Sequence, residues 1–527
     1  MTVSTPVLRS RAATINAPIE RLVWSAVLAL LVVRLGLSWH AISDPGLQQD
    51  ETLFVNAATL RIPGDNIAHS IAGVPVMVFP YIGALKSWIY DPLFAVFGNS
   101  ATVVRVPAVV ITSLGLLLVY PAVRDLVNRP VALLAFVALC FDNSVFWLTR
   151  DDVGPSALEF ALKCAALFCA ARFARSQHQR WVLLLLATLA LGVFNKLNFI
   201  WIVNAATVAS VMVGVRYRDR LRSCWRLVAT WLAGLAVIYA AWAIYYFHYH
   251  IGSLLGPTGN ALTQPWARFD PGTSAILSGT WFYDYALAPL APRSAIVWIV
   301  LVLFAAGAIA SVAVPRLRNL PVAALAVATV LISLQTLVTV QATAGWHYVA
   351  MYPFVTIVAA YGVYAVAHLV LARRSQVHIA LACAGILALA YDGLLMSKYF
   401  DALGNAPTNS AWSPAIYNLS RDLRHSNATI FAADWGIFNS LFALEPTTHY
   451  RDLAFALRYP LPAELVAARA AVNATPGRKL VVTHVNSALQ FPDANVDLLS
   501  SMGAHLNLVR VISGPDHKPV YAIYRYR

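Results

Sequence analysis

The sequence predicts a polytopic α-helical membrane protein of about eleven transmembrane helices, ending in a soluble α/β domain. Three observations carry that prediction. Of 527 residues, 59% are hydrophobic and only 12% charged, against roughly 45–50% and 25% in soluble proteins. Apolar runs near the roughly 20 residues that cross a bilayer core recur between Leu22 and Ser397. Beyond Ser397 charges are interspersed, and short β-rich runs alternate with helical patterns.

In chain order the predicted spans are Leu22–Trp39, Val103–Val123, Val131–Leu148, Ser156–Phe173, Trp181–Phe194, Phe199–Val215, Leu227–Phe247, Ser294–Val314, Val322–Gln341, Tyr348–Val370 and Ile379–Ser397. The stretch Met1–Glu20 lacks the short apolar core and small-residue cleavage site of a signal peptide, so the first span is expected to be a retained anchor. Arginines mark one side of the array: Arg9, Arg11 and Arg21, then Arg124 and Arg129, then Arg172, Arg175 and Arg180. The series continues with the cluster Arg216–Arg226, with Arg316 and Arg318, and with Arg373 and Arg374. By the positive-inside rule these loops are cytoplasmic. The run Trp181–Phe194 is short. Were it re-entrant, every later loop would change sides and break the arginine pattern. The formal charge of +14 is therefore explained by topology, and its dispersal among short loops excludes a nucleic-acid surface.

The outward segments are then Ala41–Thr102, Thr149–Pro155, Asn195–Asn198, His248–Arg293, Ala342–His347 and the tail after Ser397. They hold two acidic pairs, Asp50–Glu51 and Asp151–Asp152, and scarce cationic groups: Lys86, Lys196, Arg268, Arg293 and His347. The cysteines Cys140, Cys164, Cys169, Cys224 and Cys383 all lie elsewhere, so the outward parts must fold without disulfides. In the tail, strands are expected at Thr429–Ala433, Leu480–Thr483, Leu506–Ile512 and Val520–Tyr526. Helices are expected around Ala411–Leu423, Pro462–Val472 and Val496–Met502. No Gly-rich nucleotide fingerprint is present there.

Each candidate has a structural reading beside a chemical one. Asp50 could cap a helix starting at Glu51, since an Asp at that position accepts bonds from free backbone N–H groups. Arg150, Asp151 and Asp152 could form an interfacial ion pair ahead of the turn Val153-Gly-Pro155. Lys196 interrupts apolar sequence where a charge costs roughly 2.5–3.5 kcal/mol, which marks it as functional unless it sits in a tight turn. A lone His347 is more often a satisfied interfacial histidine than a ligand. Trp281, Tyr283 and Tyr285 read as an aromatic belt or as sugar-stacking rings.

The order of motifs resembles a known group. Gln49-Asp-Glu51 is followed by Phe54-Val-Asn-Ala-Ala58, by Pro80-Tyr-Ile-Gly-Ala-Leu-Lys-Ser-Trp88 and by Asp91-Pro-Leu-Phe-Ala-Val-Phe-Gly98. Val104-Arg-Val-Pro107 opens the second span, Leu148-Thr-Arg-Asp-Asp152 closes the third, and Gly192-Val-Phe-Asn-Lys196 and Trp346-His-Tyr-Val-Ala-Met-Tyr-Pro-Phe354 come later. Over roughly residues 20–396 this is similar to the GT-C superfamily of membrane glycosyltransferases, in the branch of protein O-mannosyltransferases and the lipid A aminoarabinose transferase.

The arginine pattern puts the N-terminus in the cytoplasm and the domain over 398–527 on the outward side, and the Ala, Leu, Val and Arg bias points to a bacterial inner membrane, which makes that domain periplasmic. The resemblance implies that the membrane unit over residues 1–397 is catalytic, with a sugar donor on a polyprenyl phosphate and a glycan, glycolipid or protein acceptor. Asp50 matches the family's first-loop aspartate and is expected to act as base. Glu51, Asp151 and Asp152 would orient the acceptor; no metal is the expectation, and a divalent cation, if one is used, would sit at Asp50, Glu51 and Asp152. Lys86, Lys196 and Arg150, then Arg293, Arg268 and His347, would receive the donor phosphate, with Tyr81 and Tyr348 as further contacts. Two departures stand out: His347 lies near a position where relatives often carry Arg, and Phe79-Pro-Tyr81 replaces a Lys-Pro-Pro segment of the lipid A enzyme. A polysaccharide ligase or polymerase with a lipid-diphosphate donor, or a transporter, would share the topology. The former would be expected to rely on Arg and His, and the latter to show paired halves, which are not found.

Overall fold

The computed structural model describes residues 17–57, 69–216, 218, 224–248, 272–287, 294–339, 345–405, 410–454, 462–485, 489–490, 499–500 and 502–527. Helix α1 (Ala17–Trp39) leads to a short helix α2 (Gln49–Asn56), a three-stranded antiparallel sheet of β1 (His69–Ile71), β2 (Val74–Phe79) and β3 (Ile82–Gly83), and α3 (Leu85–Phe97). Then follow α4 (Ala101–Leu126), α5 (Arg129–Phe141), α6 (Asn143–Arg150), α7 (Ser156–Ser176), α8 (Gln179–Asn195), α9 (Ile200–Arg216) and α10 (Trp225–His248). The membrane part closes with α11 (Trp281–Ala286), α12 (Ser294–Ala313), α13 (Leu320–Val338), α14 (Phe354–Val370) and α15 (Arg374–Asn405).

Each of the eleven predicted apolar runs is helical over most of its described length; Tyr348–Val370 is interrupted at Tyr352-Pro353, and Gln341 lies outside the described residues. Among the described residues seven helices, α1, α4, α9, α10, α12, α13 and α15, are long and apolar enough to cross a bilayer. The pair α5 and α6, bent by 52°, makes an eighth if taken as one span. The remaining runs are α7, which carries Glu159, Lys163, Arg172 and Arg175, and the 17-residue helices α8 and α14. Side-chain caps set several starts: Ser100, Asn128, Asp142 and Asn319 accept from the backbone of Val103, Val131, Val145 and Val322. Leu22, Ile244, Ile309 and Leu387 stand 63–70% exposed, as lipid-facing side chains of an integral membrane protein do.

The C-terminal domain contains α16 (Ala415–Leu423), β4 (Ala428–Ala432), α17 (Ile437–Leu444), β5 (Tyr450–Asp452), α18 (Pro462–Ala474), β6 (Arg478–His484), β7 (Leu506–Ser513) and β8 (Pro519–Tyr526). Its sheet has the order β5-β4-β6-β8-β7, parallel through the first three strands and antiparallel after them. Residues of α16 and α17 pack on one face and residues of α18 on the other. The four predicted strands are present. Strand β5, helix α17 and the β1–β3 sheet were not foreseen, and Val496–Met502 lies largely outside the described residues. The signal for β1–β2 was local: Ile71 pairs with Val74 across Ala72-Gly73, both with positive φ (49° and 80°), the requirement of a two-residue hairpin turn.

Candidate active site

Asp50 is the second residue of α2, and its side chain is half-buried. The other residues of the helix, from Gln49 and Glu51 to Asn56, are buried. The capping role considered for Asp50 falls to Gln48. The Gln48 Oε1 accepts from Asp50 N at 2.6 Å, and Glu51 Oε2 accepts from Gln48 N at 3.4 Å. The Asp50 carbonyl accepts from Gly154 N at 3.0 Å, which ties α2 to the loop after α6.

Beneath α2 lies a dry layer of ion pairs. Arg105, inside α4, grips Glu51 with two bonds, Nε to Oε1 at 2.6 Å and Nη2 to Oε2 at 3.0 Å, and its Nε is 3.3 Å from Asp151 Oδ1. Arg150 Nη1 completes the chain to Asp151 Oδ1 at 2.6 Å. Glu51, Arg105 and Asp151 are 0% exposed and Arg150 1%. Burial pushes the carboxyl groups of Glu51 and Asp151 up, against the pull of the arginines. The same arginines fix the loop between α1 and α2. Arg105 donates to the carbonyls of Ile42 and Pro45 at 2.8 Å and of Gly46 at 3.3 Å. Arg150 donates to Ser38 at 3.3 Å, Asp44 at 2.8 Å, and Ala41.

Lys86 is equally enclosed. Its Nζ lies 2.8 Å from Asp152 Oδ2 and donates to the carbonyls of Glu51, Asp152 and Gly154 at 3.2–3.3 Å. Asp152 Oδ1 accepts from Ala157 N at 2.7 Å at the start of α7. With those carboxylates committed to cations and backbone, the donor set for a divalent cation at Asp50, Glu51 and Asp152 is poor. Among the described residues no three His, Cys, Asp or Glu side chains converge as metal ligands.

Lys196 stands where α8 ends, in extended conformation (φ −157°, ψ 122°), before a short 3₁₀ turn leads into α9. The backbones of Ile82 and Lys196 form an antiparallel bridge, and Leu197 N donates to Tyr81 O at 2.9 Å. Gly83 permits this approach, because a Cβ there would lie 1.9 Å from Phe194 O. Lys196 Nζ is 3.9 Å from Glu159 Oε2. Glu159 Oε1 is 3.5 Å from Lys163 Nζ, which also donates to Val349 O and Ala350 O at 3.1 and 3.3 Å. Burial pushes the Lys196 ammonium down, while Glu159, Asp50 and Asp152 hold it up in that order. Asp50 and Lys196 therefore lie within electrostatic reach of each other, with Lys196 bound more loosely than Lys86.

His347, 9% exposed, is pushed well below its usual range by burial and then by the Lys196 charge. Its folded pKa lies below that of the unfolded chain, about 6.5, so the stability it contributes is present above that pH and is lost as pH falls through it. The melting temperature of the wild type relative to His347→Gln is expected to drop between pH 7.5 and 5.5. A gap independent of pH would contradict a neutral His347. Tyr348 is buried, and Tyr81 stacks on Phe79 with ring centroids 6.2 Å apart. Arg268 and Arg293 lie outside the described residues. Sequence reasoning missed the partners Arg105, Glu159 and Lys163. Their signal was charge inside apolar runs, with 159 and 163 at the i,i+4 spacing that joins side chains on one helix face.

The profile of the dolichyl-phosphate-mannose-protein mannosyltransferase family matches residues 83–244, a segment holding Lys86, Arg105, Asp152, Glu159 and Lys196. Among solved structures, ArnT from Cupriavidus metallidurans bound to undecaprenyl phosphate is similar with TM-score 0.58 at 12% identity, covering 96% of this chain and 98% of that one. The same protein in the apo state gives 0.56 at 11%, with the same coverage. The oligosaccharyltransferase of Archaeoglobus fulgidus tethered with an acceptor peptide gives 0.52 at 12%, covering 94% and 74%. No curated protein matches in sequence. The fold is that of the GT-C membrane glycosyltransferases.

Proposed function

We propose that the protein moves a glycosyl unit from a polyprenyl-phosphate donor to an acceptor hydroxyl, with inversion, at the face of the membrane that bears Asp50. The observation that carries this reading is the contrast within α2: Glu51 is locked to Arg105, whereas Asp50 is half-exposed and within reach of the Lys196 charge. Asp50 takes the proton of the attacking hydroxyl. The new bond forms from that oxygen to the anomeric carbon, and the bond from the carbon to the phosphate oxygen breaks. The leaving lipid phosphate gains one negative charge, which Lys196 meets and His347, uncharged, can meet only as a hydrogen-bond donor. Glu51, Asp151, Asp152, Lys86 and Arg150 act in this reading as the frame that positions α2 and the loop after α6. The extracytoplasmic assignment of this face is supported by the arginines of the other end. Arg124, Arg172 and Arg175 gather on Asp125, and Arg124 and Arg129 on Glu20.

The fold match to ArnT bound to undecaprenyl phosphate supports a lipid-phosphate carrier for this chain as well. The test is release of the lipid carrier by the purified protein in lipid nanodiscs from a panel of labelled polyprenyl-phosphate and polyprenyl-diphosphate sugars, with crude envelope extract as acceptor. Turnover of one donor establishes the transferase and names the sugar; turnover of lipid-diphosphate donors alone would instead establish a ligase. Lys196→Met is expected to weaken undecaprenyl phosphate binding about 10-fold or more, the loss of roughly one charge-assisted bond. Unchanged binding would remove Lys196 from the phosphate site.

A further inference from the structure

We infer that the C-terminal domain is a positioning element for Asp50: through Asn439 and Ser440 of α17 it grips the chain on both sides of the catalytic carboxylate. The inference rests on the proposed role of Asp50 as base. Helix α2 has eight residues, short of the roughly 12–15 at which a helix becomes even marginally stable alone. Its place must come from what it packs against. The membrane part holds it through Arg105 on Glu51, Lys86 on the Glu51 carbonyl and Ser87 on the Phe54 carbonyl.

The other half of the grip comes from α17. Ser440 Oγ donates to Leu47 O at 3.0 Å, three residues before Asp50. Asn56 Nδ2, six residues after it, donates to Asn439 O at 2.7 Å and Asn439 Oδ1 at 3.2 Å. Asn56, Asn439 and Ser440 are at most 1% exposed, so water cannot replace these bonds. The approach of the two units is close along the same stretch. Gly46 N donates to Trp412 O at 2.6 Å, and a Cβ at Gly46 would stand 2.1 Å from Ser413 O. The domain therefore sets where Asp50 stands relative to Lys196, and a displacement of about 1 Å at a reacting group can cost on the order of 10²-fold in rate.

A control sits on the same helix. Asn99 Nδ2 donates to Ala443 O at 2.9 Å, a bond that joins α17 to the start of α4 rather than to α2. The experiment compares wild type, the double variant Asn56→Ala with Ser440→Ala, and Asn99→Ala in nanodiscs. It follows hydrogen exchange of residues 47–57, turnover of the active donor, and binding of undecaprenyl phosphate. The double variant is expected to exchange faster in that segment and to lose about 10- to 100-fold in kcat, with binding within about twofold of wild type. Asn99→Ala is expected to keep wild-type turnover. Unchanged exchange in the double variant, or an equal loss in Asn99→Ala, overturns the positioning role. A wild type that turns over no donor overturns the proposed function instead, and exchange alone then decides whether the grip exists.

Discussion

Asp50→Asn is expected to lower kcat by about 10²–10⁴-fold, the range that a positioned general base supplies, while undecaprenyl phosphate still binds and the melting temperature stays near that of the wild type. The amide keeps the shape of the carboxylate and loses its basicity. Folding is expected to survive because three bonds that seat α2 do not use the substituted oxygen: Gln48 caps it, Arg105 holds Glu51, and Gly154 N donates to the Asp50 carbonyl. The pairing of outcomes is what discriminates. Lost turnover with intact binding and melting assigns the base, and turnover that persists in Asp50→Asn removes Asp50 from the chemistry.

Arg105→Ala is expected to be the most destabilising single change in the membrane part. It strips the bidentate partner from Glu51, one of two arginines from Asp151, and donors from three carbonyls of the loop before α2. Breaking a buried pair by removing one member costs roughly 3–5 kcal/mol, because the charge left behind has no solvent. The double variant Arg105→Met with Glu51→Gln should recover part of that loss, since it leaves no lone carboxylate at residue 51. Melting followed by tryptophan fluorescence in detergent measures both. A single variant as stable as the wild type, or a double variant no better than the single, would show that the layer carries little energy.

Much of the membrane architecture was legible because burial in lipid demands long apolar helices, and each predicted run is helical over most of its described length. The acidic pairs were legible too, as charges where the chain leaves apolar sequence. The division of labour within each pair was not. Neighbours on a helix point roughly 100° apart, so one of Asp50 and Glu51 had to turn away from the other. Which one did so depends on Arg105, 54 positions later in the chain. Lys86 shows the same limit: its place in an outward loop marked it as a cation for the donor phosphate, yet the fold surrounds it with Asp152 and three carbonyls. Lys196 could be placed in a break between helices from sequence, but not beside Glu159. In the C-terminal domain the alternating strands were readable, whereas β5, three residues long, and α17, eight residues long, are too short for periodicity to register.

Arg105 and Arg150 hold the segment from Ser38 to Gly46 almost wholly by its carbonyl oxygens, at Ser38, Ala41, Ile42, Asp44, Pro45 and Gly46. Every amino acid offers that same oxygen. Drift in the side chains at Ile42 and Ser43 can therefore reshape the surface of this loop while the path of the chain stays put. Descendants of this scaffold are free to sample new partners at this loop, provided that the two arginines and the two acids beneath them are inherited together.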